Sequence, residues 1–382
     1  MFQFPYSLIL LFLFASVLSY CVLLGVKWVF RKIGLIDRPH LYPAEWKRPP
    51  APYSIGIVIW ITLVAMTPVI LHFFDFTPIL EKRLWIFVAL GGLVTIVSFL
   101  DDLDTIGKIW FSVPPWVRLF FQIWVGATIG ITSIKISYLS NIFWGAGAIF
   151  LDWYFSTFTL GNITLTIYYI PILVTIFWYV LVMNALNWSD GIPGLTGGIS
   201  VIAFIILMGL AIKLYLIDTT LPSQENSRFV LTILMVLLPA TFLLTRSDIS
   251  RHGLMGDSGT MMLAFSLATL SIIAWGKIAT AVSVLGIYLI DLFYVVMMRL
   301  LRGKNPMKWD RTYHLHYRLM ELGFTPAMTR NFIFLLSFLF GLGAIFLDKT
   351  GKIILILILA VIVVFITKIL SASEKKRESR RV

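Results

Sequence analysis

Residues 84–102 read LWIFVALGGLVTIVSFLDD, and this stretch decides the fold class. Positions 84–100 carry no charged side chain, and two adjacent acids, Asp101 and Asp102, follow directly. A helix crosses a hydrocarbon core of about 30 Å with roughly 20 apolar residues. Because the backbone must satisfy its own hydrogen bonds in lipid, the run predicts a transmembrane helix. The two acids then mark one end of that helix.

Apolar runs of this kind recur along the chain. Of its 382 residues, 59% are apolar and 13% are charged, whereas a soluble domain carries about 25% charged residues. A window of about 19 residues gives eleven candidate spans. Their approximate centres are Phe14, Ile61, Leu93, Val125, Phe177, Ile206, Leu237, Ala268, Leu289, Leu336 and Leu359. We therefore expect an all-α polytopic membrane protein with one domain over residues 1–382, whose first apolar run is a retained helix.

The lysines and arginines orient the predicted spans. Of 31 such residues, 22 lie in five segments on one side: Lys27–Arg48, Lys108–Arg118, Arg246–Arg251, Arg299–Arg330 and Lys375–Arg381. Cytoplasmic segments carry this excess, so we expect the N-terminus outside and the C-terminus in the cytoplasm. The net charge of +12 suits anionic headgroups and substrates and does not require a nucleic acid. On the opposite side, Ser137–Thr166 is expected to form a small hairpin.

The acids gather on the predicted cytoplasmic side. Eight aspartates lie at or near helix ends there: Asp101, Asp102, Asp104, Asp190, Asp248, Asp257, Asp291 and Asp310. Carboxylates at one interface, rather than at mid-membrane, favour a site for a cation and a water-borne substrate over an ion pathway. Adjacent carboxylates repel unless a cation neutralises them, and Mg²⁺ prefers oxygen ligands. The alternative is that helix-end acids only solvate the interface.

A second polar cluster reads NALNWSDGIPGL over residues 184–195. Steps of three place Asn184, Asn187 and Asp190 on one face of a helix. The glycines and the proline that follow end the helix and let the backbone approach a ligand. The alternative is an interhelical pair of amides beside a glycine packing seam.

A third cluster, MGDSGT, occupies residues 255–260. Gly256 and Gly259 bracket Asp257 at the start of a predicted helix. The N–H groups of a helix start attract phosphate or a metal-bound anion. An acid or a serine at that position also caps a helix without any further role.

The longest cytoplasmic loop is basic and holds two histidines. Its polar residues are Arg299, Arg302, Lys304, Asp310, Arg311, His314, His316 and Arg318. His314 and His316 would share a face of an extended segment but not of a helix. With the arginines they could grip a diphosphate or move a proton. The alternative is a basic loop that serves only the charge bias.

Together these motifs resemble one family. They are FLDDLD, PPWVRLFFQ, NALNWSDGIPGL, LMGDSGT and DRTYHLHYRLMELGF, in that order and on one predicted face, with Asp37, Pro39, Asp291, Arg299, Gly303 and Pro306. The chain resembles the polyprenyl-phosphate N-acetylhexosamine-1-phosphate transferases of glycosyltransferase family 4 over nearly its whole length. It is most similar to bacterial undecaprenyl-phosphate N-acetylglucosamine-1-phosphate transferases. The ten-span phospho-N-acetylmuramoyl-pentapeptide transferase of peptidoglycan synthesis is the alternative.

The resemblance implies an Mg²⁺-dependent enzyme, with Mn²⁺ as a substitute ion. A polyprenyl phosphate oxygen would attack the β-phosphorus of a UDP-N-acetylhexosamine, release UMP and leave a lipid-linked diphosphosugar. Such a product starts a cell-envelope glycan, for example of lipopolysaccharide or the cell wall. The site would lie on the cytoplasmic face of the plasma (inner) membrane, and the chain would form a homodimer.

The resemblance also assigns roles to the residues. Asp257 would bind the metal, with Asn187 or Asp190 nearby in its shell, and Asp190 would take part in catalysis. Asp101 and Asp102 would deprotonate or orient the lipid phosphate. The sugar nucleotide would contact Asn184, Asn187, Arg311, His314, His316 and Arg318.

Three positions depart from the family pattern where the sugar nucleotide should bind. Pro193 stands where a second acid is common, Leu254 where an aromatic is common, and Tyr317 where a histidine is common. A non-catalytic member of the fold is therefore one alternative. A sugar or nucleotide transporter is another, and it would require polar residues at mid-membrane and two matching half-chains. The sequence shows neither.

Overall fold

The computed structural model describes residues 3–37, 39, 49–140, 147–160, 163–274, 278–305 and 313–378. The helices are α1 (Gln3–Lys32), α2 (Ile57–Phe73), α3 (Pro78–Thr105), α4 (Pro115–Ile131), α5 (Tyr169–Ser189), α6 (Leu195–Ile217), α7 (Leu221–Ile249), α8 (Gly256–Ile273), α9 (Ile278–Leu301), α10 (Leu315–Glu321), α11 (Pro326–Phe346) and α12 (Lys349–Glu378). Arg311, for which a substrate contact is predicted, and Asp310, one of the eight clustered acids, lie outside the described residues.

Four short strands lie between α4 and α5. The strands β1 (Tyr138–Ser140) and β2 (Ala148–Phe150) pair antiparallel, and so do β3 (Phe155–Leu160) and β4 (Ile163–Tyr168). The segment expected to form one small hairpin thus holds two antiparallel pairs. Alternating threonines in β4 fit the period of two along a strand.

The helices confirm an all-α polytopic membrane protein. In the described part of the chain, nine helices are long and apolar enough to cross a bilayer, and α2 is a shorter apolar helix of 17 residues. Each of the eleven predicted span centres falls in a helix of its own, in α1–α9, α11 and α12. The number of spans remains a prediction, because α2 and α4 are each only 17 residues long. The orientation of the termini also remains a prediction, since it rests on the distribution of lysines and arginines.

Helix α8 lies at the centre of the bundle. Of its apolar window, 89% is buried, more than for any other candidate span in the described residues. It packs against α3 and α5, and the indole of Trp178 donates to the carbonyl of Ala268 at 3.2 Å. Small residues allow this close packing: an added Cβ at Gly91 of α3 would lie 3.1 Å from the Met262 side chain. The middle of α8 is therefore held by both α3 and α5.

Helix direction brings the predicted site residues to one end of the bundle. Helices α3 and α5 end there, at Thr105 and Ser189, and α4, α6 and α8 begin there. The opposite end holds both strand pairs, between the end of α4 and the start of α5. One end of the bundle thus carries Asp101, Asp190 and Asp257, as the sequence predicts.

Candidate active site

Asp102 holds the end of α3 against the start of α8. Its carboxylate accepts the backbone N–H groups of Asp257 at 2.8 Å and Ser258 at 2.9 Å, and it also accepts the hydroxyl of Ser54. The residue is 1% exposed. A carboxylate at a helix N-terminus is stabilised by the helix dipole and by the N–H groups that lack intrahelical partners. Asp102 thereby fixes the backbone from which the Asp257 side chain projects.

Glycines make this junction possible. Gly256 has φ +71°, and an added Cβ there would lie 2.6 Å from an Asp102 carboxylate oxygen. An added Cβ on Gly56, just before α2, would lie 2.2 Å from Cα of Gly259. The backbone of Gly56 also donates to the carbonyl of Met255 at 2.9 Å. The MGDSGT motif therefore needs its glycines for close backbone contact and for a left-handed turn.

Two carboxylates face each other across one guanidinium. Arg118 Nη1, near the start of α4, lies 2.7 Å from Asp101 Oδ2 and 3.5 Å from Asp257 Oδ2. Asn187 donates from Nδ2 to Asp257 Oδ1 at 3.0 Å. The side chains of Arg118 and Asp257 stay 33% and 28% exposed. This cluster can bind an anion through Arg118 and a cation through the carboxylates.

The donor set of this cluster fits Mg²⁺. Asp101 and Asp257 supply carboxylate oxygens, and the Asn187 side chain supplies an amide oxygen if the amide turns over. Mg²⁺ takes few protein oxygens and keeps several waters. The Asp257 side chain is 28% exposed, so its carboxylate can contact water.

A narrow crevice with room for about one water lies beside these charges. Its walls are formed by α3, α4, α5 and α8, and its lining residues are Val97, Ser98, Asp101, Arg118, Phe121, Gln122, Met183, Asp257 and Met261. Most of the uncharged side chains are apolar. The crevice therefore joins a charged end to an apolar wall.

Asn184 is placed as an interhelical contact. Its Nδ2 donates to the Gln122 side chain at 2.5 Å and to the carbonyl of Val180 at 2.8 Å. Gln122 is 2% exposed, so the pair joins α5 to α4 in the interior. This geometry favours the packing alternative for Asn184, and its predicted substrate contact remains a prediction.

Asp190 follows α5 and faces α8. Its Oδ2 accepts the hydroxyl of Thr260 at 2.9 Å. Burial, and next the nearby carboxylate of Asp248, raise the pKa of Asp190 to about 8. Asp248 itself accepts the backbone N–H groups of Gly194 at 2.5 Å and Met255 at 3.3 Å. Asp248 thus ties the loop after α5 to the loop before α8.

The two histidines lie together beside α9. His314 Nδ1 is 3.0 Å from Asp291 Oδ2, and the backbone N–H of Leu315 donates to Asp291 Oδ1 at 2.8 Å. His316 lies in α10, whereas His314 precedes that helix with φ −68° and ψ 130°, so the segment is extended at His314 only. Their rings still approach to 5.5 Å between centroids.

A metal could also fit the histidine group by distance alone. Ligand atoms of Asp291, His314 and His316 lie within 4.8 Å of one another, and all three residues are buried. Imidazole suits transition metals better than Mg²⁺. The two Asp291 oxygens already accept His314 and the Leu315 N–H, so this group is better described as an oriented histidine pair.

Arg318 turns into the protein. Its Nη2 donates to the carbonyl of Thr367 in α12 at 3.2 Å, and the residue is 2% exposed. The geometry favours a positioning role between α10 and α12, and the predicted diphosphate contact remains a prediction. Arg311 lies outside the described residues.

Gly191 joins the acidic cluster to the histidines. An added Cβ there would lie 2.3 Å from His316 Nε2 and 2.6 Å from the Tyr317 hydroxyl. Tyr317, one of the departures from the family pattern, thus packs directly on the loop after α5. Leu254, another departure, is 8% exposed and offers no open face for a base.

Several residues of this site carried no predicted role. No role in the site was assigned from the sequence to Arg118, Gln122, Asp248, Asp291 or Ser54. A usable signal existed for Arg118: it lies at the start of the helix that follows the Asp101 helix, so both helix ends share one face. Nothing in the sequence signals the contact of Ser54 with Asp102.

The fold and the site define a class: a polytopic membrane protein with carboxylates, an amide, an arginine and histidines at one end of its bundle. The profile of glycosyl transferase family 4 matches residues 84–275, which is half of the chain and contains the Asp101, Asn187 and Asp257 clusters. The chain belongs to this family.

Three curated relatives extend the match. A "Probable undecaprenyl-phosphate N-acetylglucosaminyl 1-phosphate transferase" of Bacillus subtilis is 24% identical over 89% of this chain and 85% of its own length. An undecaprenyl-phosphate alpha-N-acetylglucosaminyl 1-phosphate transferase of Yersinia pestis is 26% identical over 84% of this chain and 77% of its own length. A decaprenyl-phosphate N-acetylglucosaminephosphotransferase of Mycolicibacterium smegmatis is 23% identical over 95% of this chain and 88% of its own length.

Proposed function

We propose that this protein transfers N-acetylglucosamine 1-phosphate from UDP-N-acetylglucosamine to polyprenyl phosphate. The products are UMP and a lipid-linked diphosphosugar, and the site lies at the cytoplasmic face of the plasma membrane. The observation that carries the proposal is the Asp101–Arg118–Asp257 cluster at the mouth of an apolar crevice. The names of the relatives support the substrates.

The crevice suits a lipid phosphate. The apolar side chains at its edge would contact the first isoprene unit from outside the crevice, while the phosphate would reach Arg118, whose guanidinium binds phosphate with parallel hydrogen bonds. Phosphate monoesters have a second pKa near 6, so the nucleophile is mostly dianionic at neutral pH. Asp101, at 2.7 Å from Arg118, would then mainly orient the guanidinium and the phosphate rather than remove a proton.

The reaction joins two anions. A lipid phosphate oxygen forms a bond to the β-phosphorus of the UDP-sugar, and the bond from that phosphorus to the bridging oxygen breaks, which releases UMP. Asp257 and Asn187 would hold Mg²⁺, which when bound neutralises charge on the diphosphate oxygens. Asp102 keeps the start of α8 in place, and His314, oriented by Asp291, would contact the diphosphate.

Turnover by purified protein tests the proposal. UDP-N-acetylglucosamine, undecaprenyl phosphate and Mg²⁺ should give UMP and a lipid product in equal amounts, and removal of Mg²⁺ with EDTA should stop the reaction. Uptake of intact nucleotide sugar into vesicles without UMP release would instead favour a transporter.

A matched pair of variants tests Asp257. Asp257→Asn should lower turnover at least about 100-fold, because it removes a charged ligand from the proposed metal site. Asp104→Asn is the control: Asp104 is half-buried near the end of α3, at the same end of the bundle, and the hydrogen bonds and ion pairs described above for the cluster do not include it. Equal loss in both variants, or retained activity in Asp257→Asn, would remove Asp257 from the site.

A further inference from the structure

A second polar cavity lies at the opposite end of the bundle. It has a volume of about 500 Å³ and is walled by the start of α3, the segment after α4, the start of α7 and the end of α8. Arg83 lines it and precedes Asp101 by 18 residues of one helix, which corresponds to about 27 Å along the axis. The cavity is therefore separate from the candidate active site, and its size is that of a small-ligand pocket.

Charges of both signs line this cavity. They are Arg83, Lys135 and Glu225, and all three are half-buried. Buried charges are costly unless they are paired or bind an ion of opposite sign. The cavity therefore suits a ligand that is itself charged.

Arg83 is held in place with donors to spare. It donates to the Ser133 hydroxyl at 3.1 Å, to the Ser133 carbonyl at 3.0 Å and to the Asn226 side chain at 2.7 Å. A guanidinium has five N–H donors. The three hydrogen bonds to described residues use three of them. The fixed guanidinium suits a phosphate oxygen.

Glu225 supplies the opposite charge. Within the described residues it accepts a long hydrogen bond of 3.5 Å from the Thr77 hydroxyl and is attracted electrostatically by Arg83. Lys135 Nζ lies 3.4 Å from the centroid of the Tyr168 ring, which holds a second cation at the same end. A carboxylate has two oxygens and about four acceptor sites, so Glu225 can accept a further donor with a positive charge.

The rim of the cavity is apolar. Ile79 and Phe150 line it and are 60% and 68% exposed, and Ile272 and Ile273 form its inner wall. Exposed apolar patches are typical of surfaces that lie against a membrane or a partner. A ligand with a charged headgroup and apolar chains would therefore match both parts.

We propose that this cavity binds the headgroup of an aminophospholipid, with its phosphate at Arg83, its primary ammonium at Glu225 and its acyl chains along the apolar rim. Once the phosphate occupies Arg83, a lipid without an amine gives Glu225 no second cation to pair with. A quaternary ammonium has no N–H to donate to the carboxylate. The site therefore distinguishes phosphatidylethanolamine from both phosphatidylglycerol and phosphatidylcholine.

Thermal unfolding of the delipidated, full-length protein in detergent tests this inference. Mixed micelles that contain phosphatidylethanolamine should raise Tm saturably, with an apparent Kd about tenfold lower than for phosphatidylglycerol or phosphatidylcholine, as expected for one charge-assisted hydrogen bond. Equal apparent affinity for the three lipids would overturn the proposal. The readout does not depend on turnover, so it stands apart from the proposed enzymatic function.

Variants locate the effect. Glu225→Gln should abolish the preference for phosphatidylethanolamine, and Arg83→Gln should weaken the binding of all three lipids. Lys82→Gln, at an exposed neighbour of Arg83 on α3, is the control and should behave as the wild type. Since Arg83→Gln also removes contacts to Ser133 and Asn226, the decisive variant is Glu225→Gln, and an unchanged lipid preference in it would contradict the inference.

Discussion

Asp102 and Asp257 meet at one helix junction, yet their surroundings differ. Asp102 is 1% exposed and accepts two backbone N–H groups and a hydroxyl, whereas the side chain of Asp257 is 28% exposed. A carboxylate whose oxygens are used in this way stabilises the fold, while one that stays partly open can bind a ligand. We therefore expect replacement of Asp102 to lower stability and replacement of Asp257 to lower activity.

Asp102→Asn should lower the free energy of unfolding by about 1–3 kcal/mol, because an amide nitrogen in place of an oxygen would face the N–H of Asp257 or Ser258. A scan of thermal unfolding in detergent measures this, with Asp104→Asn as the control. If Asp102→Asn unfolds at the wild-type temperature, Asp102 does not fix the start of α8.

Asp190 makes the metal-free protein sensitive to pH. Its pKa of about 8 in the folded state exceeds the value near 4 of an unfolded aspartate, so folding favours the protonated form. This contribution to stability is fully present below about pH 4 and is lost as the pH rises through 8.

The corresponding prediction compares Tm between pH 5 and pH 9 in EDTA. Wild-type Tm should fall with rising pH more steeply than that of Asp190→Asn, which cannot ionise. Asp75→Asn, at an exposed acid, should follow the wild type. Parallel curves for the wild type and Asp190→Asn would show that burial does not hold the proton on Asp190.

At the scale of the elements, the starts of α2 and α8 touch through glycine. An added Cβ on Gly56 would lie 2.2 Å from Cα of Gly259, and backbone cannot move aside as a side chain can. By contrast, an added Cβ on Gly25, inside α1, meets nothing within 4 Å.

We expect Gly56→Ala to destabilise the protein by about 1–3 kcal/mol through overpacking. Gly25→Ala should leave Tm unchanged or raise it, since alanine is the better helix former. Thermal unfolding of both variants measures the difference. A neutral Gly56→Ala would mean that the two helix starts do not need their close contact.

Sequence periodicity and motifs predicted the elements better than their contacts. The apolar run before Asp101 predicted α3, and the MGDSGT motif predicted a helix start at Gly256. The grouping of Asp101, Asn187 and Asp257 at one end followed from helix direction alone. The family assignment is confirmed by the match over residues 84–275.

Contacts between distant segments were not predictable in the same way. The rotation of a helix about its axis is set by packing against other helices, so the inward turn of Arg318 toward Thr367 has no local signal. The same holds for Arg118, which meets Asp101 and Asp257 from another helix. Helix α10 starts at Leu315, one residue before His316. The spacing of the two histidines does not reveal this helix boundary.

For the whole molecule, the central claim is that the β-phosphoryl group moves together with its sugar. UDP-N-acetylglucosamine labelled with ³²P at the β-phosphorus, incubated with the purified protein, Mg²⁺ and undecaprenyl phosphate, tests it most directly. We predict that the label enters the lipid fraction in step with the release of UMP. Label that leaves as UDP, or that stays in the nucleotide sugar, would contradict the claim.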